Sequence, residues 1–294
     1  MIDMYKITDH KLEKYYGFIQ GSIEIPSSVQ IIGEDCFAGT GIEEICIPKG
    51  VIEIADRAFE KCQKLHTVTF EDGSQLERIG KSAFSECESL VGITIPKNVS
   101  TIEERTFGYC KKLKEIELPS DISKIERWAF DNCLSLQTIM LPDTLEEIGE
   151  GAFYKCESLK TITFPKNIRN IPNGCCSGCS SLKSVEFSSH NDSFEVGMRA
   201  FFGCESISEI TFPDGIEEIP AECCSECRKL KKVIIESEYF PVRICNSAFN
   251  CCNSLEEFVL SHVVYEENER KFNSKKEYKG VKFRSPKNEL YSEE

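Results

Sequence analysis

The feature that most constrains this chain is a phrase that returns along its length. Its pattern is Ala-Phe-x-x-Cys-x-x-Leu-x-x-Ile-x-Ile-Pro-x-x-Val-x-x-Ile, and a clear copy starts at Ala152-Phe153 and passes through Cys156, Leu159, Ile162, Phe164, Pro165, Ile168 and Ile171. The phenylalanine position recurs at Phe37, Phe59, Phe84, Phe107, Phe130, Phe153, Cys176, Phe201, Cys224 and Phe249, ten copies spaced 22 to 25 residues apart. A period in this range specifies a stacked-repeat solenoid, and its binding capacity must be sought on the long surfaces that stacking creates.

Within a copy, Ile162 and Phe164 alternate with Thr161 and Thr163, the period of a strand buried on one face. Pro165 then ends the strand, because it has no N–H to donate to a ladder. A turn follows, at Gly50, Gly73, Asn98, Asp121, Asn167 or Gly215, and then a second extended piece such as Val99 to Ile102 or Leu145 to Ile148. The Ala-Phe-x-x-Cys-x-x-Leu segment places its apolar residues three and four apart, which predicts a short helical turn. No copy can bury both faces alone, so stacking predicts a right-handed coil. A parallel sheet forms one wall, with rungs about 4.8 Å apart, and helical turns form the other. The expected class is an α/β repeat solenoid over residues 22–260. Residues 1–21, with Leu12, Tyr15, Tyr16, Phe18 and Ile19, read as an N-terminal cap. Residues 261–294 read as a C-terminal cap and charged tail, with a last strand near Val281-Lys282-Phe283 and disorder beyond Pro286.

The Ile-Pro step and the Ala-Phe-x-x-Cys step, in this order and phase, resemble the BspA-like leucine-rich repeats, the type also found in Treponema pallidum. The resemblance covers about 240 of the 294 residues. It implies a leucine-rich solenoid. It also implies kinship with surface or secreted proteins of bacteria and parasitic protists that act in adhesion and host-protein binding.

Seventeen cysteines invite a metal or disulfide reading, and the repeat gives another. Nine share one column, Cys62, Cys87, Cys110, Cys133, Cys156, Cys179, Cys204, Cys227 and Cys252. Cys176 and Cys224 replace the core phenylalanine, while Cys36, Cys175 and Cys223 replace the core alanine. Fourteen thus fall in buried columns, where a thiol acts as a small hydrophobe. The two C-x-x-C passages, Cys176 to Cys179 and Cys224 to Cys227, arise from a Phe-to-Cys change in the repeat and lie two rungs apart, too far for one zinc. The reading expects no metal, no cofactor and reduced thiols. Four histidines, His10, His66, His190 and His262, fall at unrelated repeat positions, and no nucleophile or phosphate-loop motif is present, so no enzyme is expected.

A net charge of −14 with no basic stripe argues against nucleic acid. No run of 18 apolar residues is present, and the polar stretch Met1–His10 lacks a signal core, so a soluble, cytoplasmic chain is expected from the residues and a cell-surface one from the resemblance. The sequons at Asn98 and Asn191 read as chance.

Two surfaces are candidates for a protein or other macromolecular partner. The outward strand positions form a sheet wall whose middle carries Glu115, Glu117, Thr138, Met140, Thr161, Thr163, Glu186 and Glu209, suited to a basic partner. The turn wall carries Arg105, Tyr109, Trp128 and Tyr154, the residue types that anchor protein interfaces, with Arg105 able to stack on Trp128. The same surfaces would serve an adhesin or an intracellular scaffold.

Overall fold

The computed structural model describes residues 5–16, 21–188, 193–237, 241–274, 278 and 280–286. The chain divides into two compact units, Met1–Glu157 and Ser158–Glu294. In the first, the strands Gly21–Glu24, Ile42–Ile47, Thr67–Phe70, Gly92–Thr94 and Glu115–Glu117 form one parallel sheet in chain order. Two-residue strands such as Ile31–Ile32, Glu53–Ile54 and Arg78–Ile79 form a second parallel ladder, the extended piece expected after the turn. In the second unit, Glu209–Phe212, Lys232–Ile235, Glu257–Val259 and Lys282–Arg284 form a four-stranded sheet, and Thr161–Phe164 pairs with Ser184–Phe187. The last strand expected near residue 282 is therefore present.

Inward strand positions fill the core: Ile45, Val68, Ile93 and Ile116 are buried and face one another rung by rung. Behind them six phenylalanines, Phe37 to Phe153, stack face to face at 5.0–5.7 Å. Tyr15 of the N-terminal hairpin lies 5.6 Å from Phe37 and takes the place of a further ring. Of the residues read as an N-terminal cap, Leu12 and Tyr15 are buried and Tyr16 is exposed, while Phe18 and Ile19 lie outside the described residues.

The turn wall departs from the helical expectation. The only α-helix among the described residues is His262–Ser274, in the C-terminal segment. Each Ala-Phe-x-x-Cys segment is instead a run of tight turns whose N–H groups alternate in direction. Ala58, Glu60 and Cys62 donate three residues back, to Ala55, Arg57 and Phe59, whereas Phe59 and Lys61 donate to Ala83 and Ser85 of the next rung, at 2.8–3.3 Å. The cause is a left-handed backbone two residues before and two after the phenylalanine. Arg57 and Lys61, Ser82 and Glu86, Arg105 and Tyr109, and Trp128 and Asn132 all have φ between 53° and 61°. Positive φ cannot continue a helix of L-residues, and it turns every other N–H toward the neighbouring rung.

The C-terminal segment closes the second unit with side chains. Ser261 caps the helix through Val264 N–H, and Val264, Asn268 and Phe272 form its buried stripe. Asn268 sits against the two-residue strand Arg243–Ile244 as another rung would: its Oδ1 accepts from Ile244 N–H at 3.0 Å and its Nδ2 donates to Val242 C=O at 2.7 Å. Lys271 Nζ adds a bond to Ile244 C=O. The carboxamide presents one donor and one acceptor, the groups a strand edge demands.

Candidate functional site

In the first unit the parallel register aligns the outward residues in columns. Glu44 pairs with Thr67, Thr67 with Gly92 and Gly92 with Glu115; Cys46 pairs with Thr69 and Thr94 with Glu117. Glu115 folds its stem across Gly92, where an added Cβ would lie 3.4 Å from Glu115 Cγ. Glu117 Oε2 accepts from Thr94 Oγ1 at 2.8 Å. Among the described residues neither Glu115 nor Glu117 forms an ion pair, so two adjacent carboxylates stand in solvent with their charge unmatched. Thr138 and Met140 follow in the repeat and are exposed, Met140 to 86 %, but the segment carries no strand, and nothing in its sequence accounts for the break.

The wall of the second unit has the same columns and a different charge balance. Thr161 and Thr163 are exposed. Glu186 accepts from Thr163 at 3.2 Å and Ser184 at 3.4 Å, Glu209 lies 3.6 Å from Lys232, and Glu257 lies 2.9 Å from Arg284. Ile234 and Val259 are half-buried beside them.

The four residues singled out on the turn wall all lie in the first unit, and three of them are in contact. The Arg105 guanidinium lies 5.9 Å from the Trp128 ring, and Tyr154 meets Trp128 edge-on at 5.6 Å. Tyr109 is exposed. Trp128 lies on the backbone of Gly151, where a Cβ would come within 2.8 Å of the indole. Gly151 itself has φ 59°, so glycine here answers both a left-handed backbone and a covering ring.

A family profile described as BspA type Leucine rich repeat region, with 6 copies, matches residues 13–110, 77–195 and 190–293. The chain belongs to the BspA-type leucine-rich repeat family. The structure is similar to that of a leucine-rich repeat protein from Bacteroides ovatus, with a TM-score of 0.68 and 25% identity over 91% of this chain and 72% of that one. It also resembles a leucine-rich repeat protein from Eubacterium ventriosum, with a TM-score of 0.56 and 25% identity over 79% and 64% of the two chains. A leucine rich cell surface protein from Faecalibacterium prausnitzii shares the fold, with a TM-score of 0.52 and 22% identity over 97% and 94%. No curated protein matches the sequence.

The BspA-type column of cysteines does more than fill space. Cys62 donates its S–H to Phe37 C=O of the preceding rung at 3.1 Å, and Cys87, Cys110, Cys133 and Cys156 repeat the bond to Phe59, Phe84, Phe107 and Phe130 at 3.2 Å. In the second unit Cys204, Cys227 and Cys252 bond Cys176, Phe201 and Cys224 in the same way. Sequence reasoning saw the column as a small hydrophobe. The signal it missed is Thr40, the one hydroxyl in that column, whose Oγ1 lies 3.4 Å from Cys62 Sγ. Burial pushes the Cys62 thiol up to about 11, and raises Cys87, Cys110, Cys133, Cys204 and Cys252 as well, so these stay protonated donors at neutral pH; Cys36 of the alanine column is pushed up to about 12. Fourteen of the seventeen cysteines are buried, as their columns require, while Cys46 and Cys251 are exposed and Cys245 is half-buried. Among the described residues no group of three or more His, Cys, Asp or Glu side chains is placed to hold a metal ion.

Proposed function

We propose that this BspA-type chain is a non-enzymatic, right-handed solenoid that binds a basic protein segment on the sheet wall of its first unit. Glu115 and Glu117 are the charged anchors, and Thr138 and Met140 supply neighbouring polar and apolar contact. The observation that carries the reading is a pair of exposed carboxylates with no cationic partner among the described residues, whereas Glu44 in the same column has His66 at 4.0 Å. Leaving two like charges adjacent has an electrostatic cost that a cationic partner relieves. In the second unit Thr161, Thr163, Glu186 and Glu209 form the equivalent columns; Glu186 is bonded by hydroxyls as Glu117 is, while Glu209 has Lys232 at 3.6 Å, so the wall around Glu209 offers a weaker surface to a basic ligand.

Two settings fit this activity. The cell-surface description of the F. prausnitzii protein supports a surface setting, in which this binding would serve adhesion. The cysteine-rich, mostly buried repeat columns support an intracellular scaffold or assembly subunit, since such a set of thiols persists where thiols are kept reduced. No helix among the described residues is long and apolar enough to cross a membrane. Surface labelling of intact source cells separates the settings. The binding face is tested with one captured partner and two double variants, Glu117→Lys with Met140→Ala, and Trp128→Ala with Tyr154→Ala. The first should weaken binding at least tenfold and flatten its salt dependence. Loss of binding confined to the second would place the contact on the turn wall.

A further inference from the structure

The turn wall of the first unit carries a feature the sheet-wall reading does not use. Arg105, Trp128, Tyr154 and Lys155 form one row over three successive rungs: guanidinium to indole 5.9 Å, indole to phenol 5.6 Å, ammonium to phenol 5.4 Å. A cation thus stands at each end of an aromatic pair. Among the described residues neither Arg105 nor Lys155 forms an ion pair. Other cations at the same two repeat positions are matched: Arg57 to Glu34 and Asp35 and Lys61 to Glu60 and Glu86 in this unit, and Arg199 to Glu222 in the second unit. Asp131 lies within electrostatic reach of both Arg105 and Lys155, but it is 3 % exposed, bonded by the Asn132 amide and in a direct ion pair with neither, and Glu104 is held by Arg127 at 2.9 Å.

The row is also seated on backbone. Trp128 lies against the backbone of Gly151, and glycine at that position leaves the ring its seat. Trp128 and Tyr109 both occupy left-handed backbone, which disfavours a bulky side chain. The remaining non-glycine residues of the column two before the phenylalanine are smaller or charged, such as Asp35, Ser82 and Glu222.

We propose that this row is a second docking surface, separate from the sheet wall, and that its partner is an acidic peptide segment of a protein. One carboxylate reaches Arg105, another reaches Lys155, and an apolar side chain between them lies along the exposed edges of Trp128 and Tyr154. The two surfaces then select opposite charges, basic segments on the sheet wall and acidic segments on the turn wall. That gives one chain the means to bridge two partners.

The chain has a single tryptophan, so Trp128 emission reports on this surface alone. The probe is a synthetic hexapeptide of sequence Glu-Leu-Glu-Glu-Leu-Glu, with its Lys-for-Glu counterpart as control. The expected result is a saturable change in emission with the acidic peptide and none with the basic one. The midpoint should rise at least tenfold in the Arg105→Ala, Lys155→Ala double variant and should rise with salt. Glu117→Lys on the sheet wall should leave it unchanged, which keeps this test distinct from that of the basic partner. Four outcomes overturn the proposal: no emission change with the acidic peptide, an equal change with both peptides, an acidic-peptide response that survives loss of both cations, or a response only to a sulfated oligosaccharide.

Discussion

The two units are built from one repeat and differ in the places where the repeat is free to vary. In the first, six phenylalanine rings stack without a break, and among the described residues no cation pairs with Glu115 or Glu117 on the sheet wall. In the second, Cys176 and Cys224 interrupt the phenylalanine column, and Phe164 and Phe187 stack in the strands at 5.6 Å. There the wall pairs Glu209 with Lys232 and Glu257 with Arg284. The ends differ as well: a backbone hairpin closes the first unit, and the side chains of Asn268 and Lys271 close the short-strand edge of the second. Stacking fixes what points inward and leaves the outer charge pattern to function, so unmatched outer charge is the more informative signal.

The largest expected effect separates the two cores. Phe130→Ala removes a ring sandwiched between two others and should cost about 3–5 kcal/mol in denaturant unfolding. Cys224→Ala, at the same repeat position in the second unit, should cost about 1–2 kcal/mol, since it removes far less buried volume. Equal costs would mean that the phenylalanine stack is not a continuous core. A smaller effect probes the ends. Asn268→Leu strands Ile244 N–H and Val242 C=O, at about 1–3 kcal/mol for each buried group left unpaired. Hydrogen exchange at Ile244 should accelerate, with the hairpin of the first unit unaffected. Unchanged exchange would show that the helix closes the edge without this amide.

The smallest effect is a reciprocal exchange on the turn wall. Ser82 has φ 53° and Gly174, at the same repeat position in the second unit, has φ 60° with Ser177 Cβ 3.9 Å from where its Cβ would lie, an unstrained contact. Ser82→Gly should raise stability by up to about 1 kcal/mol, and Gly174→Ser should lower it by a similar amount. A helical turn would give the opposite sign at Ser82, because glycine is the poorer helix former.

The sequence is legible where periodicity and burial speak together. Alternation in Thr161–Phe164 and the columns of leucine, phenylalanine and cysteine yield the strands, their register and the buried thiols. The helical turn was misread because spacings of three and four also suit a run of tight turns. The discriminating signal is the mixture of glycine, Asp35, Ser82 and Asn132 at two fixed positions, which tolerate positive φ. The C-terminal helix was hidden for a different reason. Its buried stripe, Val264, Asn268 and Phe272, has a polar residue at its centre, and that residue pairs with a strand edge no local pattern reveals. The candidate surfaces were legible as columns, but whether a given glutamate meets a cation depends on which residue the next rung supplies.

The central claim is that unmatched charge on the first unit's wall marks the binding face. The direct test is a backbone NMR titration of the whole chain with a lysine-rich peptide. Shifts should concentrate at residues 92–94, 115–117 and 138–140 and shrink as salt rises. The second unit's equivalents at 209–211 and 257–259 should hardly move. Shifts centred on the second unit's wall, or spread evenly over both, would contradict the account.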